Sequence, residues 1–304
     1  MADLPVNGDL LGLAGKFITD QALADHLKVP RTTLRDHIYR LGMREAINAA
    51  RERPEVEAPP VEVPVIHRDY SGESRHYVYP LGDVHLGAKR HSPELWEDWL
   101  GYLRSRKTSS MLGTGDFLNT AIVGSKSDVY DERMTVGQAK RLLTRQLRPL
   151  AEENRLDALM PGNHEVRITR AIGDCPIHDV ADTLGVNYVE AAALFVYTVG
   201  EQTYEVYMRH GTGMGQSLAT LAKSGYVIGA DVYVTGHTHR QAVTADDYFG
   251  RIDSKITRRK RYFVSSGSFM GYERYAAERG YPPSRMGAPR ILLDGRRWDV
   301  HVSI

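Results

Sequence analysis

The chain has 304 residues, of which 42% are hydrophobic and 25% charged, enough apolar material for a sizeable core and for one large domain or two smaller ones. Its 39 Lys and Arg against 38 Asp and Glu leave a net charge of +1, which excludes a disordered polyelectrolyte and a uniformly basic nucleic-acid coat. A single cysteine, Cys175, excludes an intrachain disulfide framework and a cysteine-rich zinc module, as in a reducing compartment.

Residues 1–17 have no basic start, and their apolar stretch is short and broken by glycine. They read as neither a secretory leader nor a membrane span, so a cytoplasmic location away from membranes is expected. From Asp20 the apolar positions Ala22, Leu23, Ala24 and Leu27 recur at helical spacing; Val29 to Thr33 interrupt, and Leu34, Ile38 and Leu41 resume it. Thr32 or Thr33 is expected to cap the second helix and Gly42 to end it. Residues 17–45 resemble the helix-turn-helix DNA-binding family, with Val29 as the turn hydrophobe and Thr32 to Tyr39 as the recognition helix. That resemblance implies base or phosphate contacts from Arg31, Thr32, Thr33 and Arg35. The alternative is a helical hairpin used for docking or self-association, and six basic against six acidic residues in 1–50 weaken the DNA case.

Between 51 and 65, Pro54, Pro59, Pro60 and Pro64 alternate with Glu52, Glu55, Glu57 and Glu62, a composition that favours extended backbone. Three segments follow: a helical domain over 1–50, a linker over 51–65 and a larger domain over 66–304. In the larger one, Trp96, Trp99, Leu100 and Leu103 form a helical stripe after Ser92 and Pro93, and Met134 to Leu150 form a second.

Five apolar runs there each end in a tight turn carrying a polar residue. Asp83 and His85 follow the first, Asp116 the second, Asn163, His164 and Glu165 the third, His210 the fourth, and His237 and His239 the fifth. Short runs of this kind read as buried strands whose ends converge on one crevice. Oxygen donors mixed with imidazoles suit manganese, iron, zinc, cobalt or nickel rather than calcium. Seven ligands exceed one cation's needs, so two divalent metal ions, manganese first, are expected to share Asp116.

In this order and spacing, GDVH, GD, GNHE, H and GHTH resemble the calcineurin-like metallophosphoesterases over residues 78–239. The DVHLG form of the first block is similar to their DNA-repair exonuclease branch. The resemblance implies an α/β fold, a two-sheet sandwich flanked by helices, here preceded by the small all-α domain. It also implies that Asp83, His85, Asp116 and His239 bind one metal, and that Asp116, Asn163, His210 and His237 bind the other. His164 becomes the catalytic acid near the leaving oxygen, and a hydroxide between the cations the nucleophile. Asn119, where the family often carries Asp, cannot act as a base. Glu165 either orients a histidine or is a solvated helix-start carboxylate.

Residues 240–304 hold thirteen basic and seven acidic residues, including Arg258, Arg259, Lys260 and Arg261. This cluster reads as phosphate contacts lining the approach to the metals, or as a solvated hairpin turn. DNA is therefore the expected partner and a nuclease or phosphodiesterase the leading function. A nucleotide or protein phosphatase that docks or oligomerises through its helical domain is the alternative, and a DNA binder with a vestigial site a third. Gly211 to Gly215 lacks GxGxxG spacing and reads as a flexible turn, and Cys175 reads as packed rather than catalytic.

Overall fold

A computed structural model describes residues 4–14, 16–17, 19–51, 62–122, 125, 129–211, 228–252, 255–272, 280 and 283–304. The chain divides into two compact units, Met1–Glu62 and Val63–Ile304. Most of the expected linker, residues 52–61, and most of the turn at 211–215 lie outside the described residues.

The first unit contains α1 (Asn7–Ala14), α2 (Asp20–His26), α3 (Arg31–Arg40) and α4 (Arg44–Arg51). Leu10, Ala14, Leu23, Ala24, Leu34, Ile38 and Ile47 form its core, and Val29 packs against it from the turn. Thr19 caps α2, its hydroxyl accepting from the Ala22 N–H at 3.2 Å. The expected threonine cap of α3 is corrected: Pro30, in extended backbone, is the N-cap, and the helix begins at Arg31. Proline's fixed φ and missing N–H suit a helix entrance, so Thr32 and Thr33 fall inside the first turn. Arg31, Thr32, Thr33 and Arg35 are all exposed, while Leu34 and Ile38 supply the buried stripe. Gly42, at φ +62°, follows the helix end as expected.

In the second unit the elements run β1 (Val65–Tyr70), β2 (Arg75–Leu81), α5 (Pro93–Ser105), β3 (Ser109–Gly113), α6 (Val136–Glu152), β4 (Leu156–Leu159), α7 (Asn163–Ile172), α8 (Pro176–Leu184), β5 (Ala192–Val199), β6 (Gln202–Arg209), β7 (Val232–Thr235), β8 (Gln241–Ile252), β9 (Lys255–Ser266), β10 (Arg290–Asp294) and β11 (Val300–Ser303). They build a six-stranded sheet, β1-β5-β6-β7-β9-β8, and a five-stranded sheet, β11-β10-β2-β3-β4. The architecture is therefore α/β with two sheets and flanking helices.

Alternation along the strands makes two apolar layers. Val78, Leu112 and Ala158 of one sheet meet Phe195, Val206, Val232 and Val264 of the other. On the opposite face, Tyr79, Leu81 and Met111 pack against Trp96, Leu100 and Leu103 of α5 and Leu143, Leu147 and Leu150 of α6. The two helical stripes are thus core faces, with Trp99 only partly buried. Cys175 is buried in the same layer. Within the fully buried β4, the Asp157 carboxylate is satisfied by Tyr70, Tyr197 and Ser110 hydroxyls at 2.6–2.8 Å and by Arg68.

The strands that carry the polar turns lie parallel: β2 with β3, β3 with β4, β6 with β7, and β7 with β9. Their C-terminal ends emerge together, which places the site. No helix among the described residues is long and apolar enough to cross a membrane.

Candidate metal centre

The turns after β2 and β3 are joined backbone to backbone. Asp83 N–H donates to Gly115 O at 2.8 Å, Val84 and His85 N–H both to Asp116 O, and Leu86 N–H to Phe117 O. This fixes Asp83, His85 and Asp116 as one rigid piece before any side chain is considered. The local backbone is strained. Eight described non-glycine residues adopt positive φ, and five of them are Asp83, His85, Asp116, His237 and His239. Each left-handed residue costs roughly 1–2 kcal/mol, and such strain collects at functional sites.

Glycine is required where the turns touch. A Cβ on Gly162 would stand 2.1 Å from Asp116 Oδ1, and one on Gly115, itself at φ +96°, would stand 2.6 Å from His210 Nδ1. Gly162→Ala is therefore expected to displace the Asp116 carboxylate, weakening manganese binding at least about tenfold and costing roughly 1–3 kcal/mol of stability from overpacking. Calorimetric titration and thermal melting measure both. Undiminished metal binding would show that the carboxylate need not stand where it does.

Six of the seven expected ligands fall into two sets, linked through a third group. Asp83, His85 and His239 each offer an atom within 4.8 Å of the others, as do Asp116, His210 and His237. His85, Asp116 and His164 form a third such group, so Asp116 stands in two of the three. Asn163 joins the second set, its Oδ1 2.6 Å from His237 Nδ1 and 3.2 Å from His210 Nε2. Asp83 accepts from the His237 N–H at 3.0 Å, and its Oδ1 lies 3.3 Å from His239 Nε2.

The proton inventory shows that these donors fit cations. His210 Nδ1–H donates to Thr114 O at 2.7 Å, so Nε2 of the neutral ring presents a lone pair. That lone pair faces Asp116 Oδ2 and Asn163 Oδ1, both at 3.2 Å, so that three acceptors meet. Burial alone would lower the His210 pKa, yet the Asp116 carboxylate and the Asp83 charge carry it up to about 10. In the bare protein, then, a proton occupies the space where a cation would satisfy all three, and metal binding must displace it. His85 Nε2 and His239 Nε2 likewise approach to 3.0 Å, while His85 Nδ1 is buried without a hydrogen-bond partner. Burial and the neighbouring His164 and His239 keep His85 well below the usual histidine range, hence neutral and able to bind metal. Burial would raise Asp116, but His210 and His164 hold it well below the carboxylate range.

His164 is gripped from all sides. Its N–H donates to Asp116 Oδ1 at 2.8 Å, its Nδ1–H to Asn119 O at 2.6 Å, and Thr120 Oγ1–H donates to its carbonyl at 2.6 Å. Glu165 is the helix-start carboxylate of one expectation, but buried rather than solvated, and it does not orient a histidine as the other had it. It is fully buried and contacts no histidine: Oε1 accepts from Leu118 N–H at 2.7 Å, and Oε2 from Gly162 and Asp116 N–H at 2.8 and 3.2 Å. Burial and the Asp116 charge push its pKa up to about 7. It clamps the Asp116 turn to the start of α7. Sequence reading also missed Ser266 and Ser268, whose hydroxyls reach Asp83 Oδ2 at 3.4 Å and Asp83 O at 2.9 Å. Their signal was an apolar run, β9, ending in small polar residues, as in the five recognised blocks.

The basic run is not the solvated turn that was one reading of it: it lies within β9, paired with β8. Arg258 contacts Asp247 at 2.6 Å, Arg259 contacts the buried Asp231 at 2.7 Å, and Arg261 contacts Asp246 at 2.5 Å. Lys260 stacks over Tyr262. Arg31, Thr32, Thr33 and Arg35 lie on α3 of the first unit, and Arg258, Arg259, Lys260 and Arg261 lie on β9 of the second.

No family model matches the chain, and no curated protein does. Among solved structures it is similar to vacuolar protein sorting 29 from Cryptosporidium parvum, at TM-score 0.38 and 17% identity over 76% of this chain and 98% of that one. Vps29 from Chaetomium thermophilum gives 0.37 and 13% over 75% and 94%. Wild-type Vps29 complexed with zinc from Entamoeba histolytica gives 0.32 and 11% over 75% and 97%.

Proposed function

We propose that the chain is a phosphoesterase dependent on two divalent cations, with manganese the first candidate. One observation carries this reading: imidazole nitrogens, carboxylate oxygens and an amide oxygen converge around Asp116 at 3.2 Å and less, where in the bare protein a single His210 proton stands between three groups that a cation could join. Asp83, His85, Asp116 and His239 would hold one cation, and Asp116, Asn163, His210 and His237 the other. Such a pair supplies a water of lowered pKa and neutralises phosphoryl charge. The chain's own contribution is rigidity. Turns locked by Glu165 and by the Gly115 and Leu86 hydrogen bonds hold the donors in place, so little reorganisation accompanies substrate binding. His164 Nε2 is then the ring nitrogen available to the leaving oxygen.

For the substrate we propose a nucleic-acid phosphodiester, supported by the exposed Arg31, Thr32, Thr33 and Arg35 on α3 and by the basic strand β9. One observation favours a second reading, a phosphatase acting on a nucleotide or phosphoprotein. Asp247, Asp231 and Asp246 already partner three of the four β9 cations, which lowers their pull on phosphates.

A panel of plasmid DNA, a chromogenic phosphodiester and a chromogenic phosphomonoester, each with manganese and with chelator, tests both levels. Metal-dependent cleavage of DNA is expected. Replacing Arg258, Arg259, Lys260 and Arg261 by Gln should then weaken DNA binding and reduce its salt slope by about one unit per lost phosphate contact, sparing the small ester. Monoester turnover alone would establish the second reading, and no turnover on any substrate would remove the enzyme reading.

A further inference from the structure

We infer that Glu132 is a positioning residue that sets which nitrogen of His164 faces the site. Its kinetic consequences presuppose the phosphoesterase reading; its structural consequence does not.

His164 Nδ1 lies 2.6 Å from Asn119 O, and a carbonyl can only accept, so Nδ1 carries the hydrogen and Nε2 of the neutral ring is bare. The tautomer therefore depends on where the Asn119 carbonyl stands. Residues 119–121 belong to no helix or strand, and Thr120 sits at φ +49°, a strained conformation for a β-branched residue. Something must hold them. Glu132 Oε1 accepts from Asn119 Nδ2 at 2.6 Å and from Ala121 N–H at 2.7 Å, spanning the strained residue from both sides.

Glu132 is itself seated against the loop that follows His85. Arg133 N–H donates to Gly87 O at 2.7 Å, Glu132 bridges to Ala88, and a Cβ on Gly87 would meet Glu132 Oε2 at 2.8 Å. The backbone at Glu132 and Arg133 is thus anchored to the loop after His85, and from there the Glu132 carboxylate reaches the segment that orients His164. Without it, only the Asn119 N–H on Leu86 O at 3.0 Å and the Thr120 hydroxyl on His164 O at 2.6 Å hold the strained segment, so the Asn119 carbonyl shifts and the ring is released to its other tautomer.

Two readouts test this, the first needing no metal. Long-range proton–nitrogen NMR of the metal-free protein, with the His164 ring neutral, should show His164 as the Nδ1–H tautomer in wild type. Glu132→Gln should match it, because the amide oxygen can accept both bonds. Glu132→Ala should gain the Nε2–H form. With manganese, Glu132→Ala should lower kcat about tenfold on a phosphodiester with a poor leaving group and less than about twofold on one with a good leaving group, at unchanged metal content. Combined with His164→Ala it should add no further loss. Should Glu132→Ala not fold, Glu132→Asp, which retracts the carboxylate, is read the same way. An intact Nδ1–H tautomer in these variants, equal slowing of both esters, or an additive loss with His164→Ala would overturn the role. Wild type inactive on every ester would instead overturn the phosphoesterase reading, and the tautomer would still decide this one.

Discussion

Asp116→Ala is expected to abolish turnover, lowering kcat by about four orders of magnitude or more, and to reduce bound manganese from two ions to at most one. Four decades correspond to roughly 5.5 kcal/mol of transition-state stabilisation, within what two-cation charge neutralisation supplies. Asp116 stands in both the group with His85 and the group with His210 and His237, so its loss leaves two like-charged cations without a shared counter-charge. Asp116→Asn separates charge from shape. The amide oxygen can still accept the His164 N–H that Oδ1 now accepts at 2.8 Å, which preserves the turn, while the negative charge is gone. Both variants should therefore lose metal, with Asp116→Asn nearer wild type in melting temperature. Metal analysis after gel filtration and a phosphodiester assay measure the outcome. Two tightly held ions and a near-normal rate in Asp116→Asn would remove Asp116 from the bridging position.

Why the site was readable and parts of its support were not follows from how local each signal is. A buried strand such as Met111–Gly113 announces itself by apolar residues, and the left-handed turn after it by Gly115 beside a residue that tolerates positive φ, so Asp116 could be placed from six adjacent letters. The helical spacing of the buried Leu34 and Ile38 was equally local, although the cap was misplaced because Pro30 and the two threonines each suit a helix start. Sheet order was not local: β7 pairs in parallel with β9 rather than with β8, and β1 pairs with β5 from the far side of α8. Glu165 and Glu132 were opaque for the same reason. A glutamate's letter does not say that two backbone N–H groups from another turn will join that of its own helix cap on it, or that it will span a strained threonine. The basic run misled in the opposite direction, since its partners Asp231, Asp246 and Asp247 lie 11–28 residues away and became visible only once β9 was paired with β7 and β8.

His164→Ala is expected to keep both metals while lowering kcat by about two to four orders of magnitude on esters with poor leaving groups, and far less on those whose leaving group needs no proton. The competing possibility is concrete, because His85, Asp116 and His164 each offer an atom within 4.8 Å of the others and His164 can be counted as a ligand on distance alone. Geometry argues against that count. Nδ1 is spent on Asn119 O, and the ring stands edge-on to His85, with centroids 4.4 Å apart and planes at 80°, whereas the His85 and His239 nitrogens point at each other at 3.0 Å. Burial lowers the His164 pKa, so in the bare protein the ring is neutral near pH 7 and Nε2 is an acceptor. Service as an acid therefore requires Nε2 first to take a proton from water in the site. The leaving-group dependence follows: a nitrophenolate departs without that proton, an alkoxide does not. Equal loss on both esters with metal depleted would make His164 a ligand after all. Equal loss with both metals retained would assign it to binding the phosphoryl group instead of the leaving oxygen.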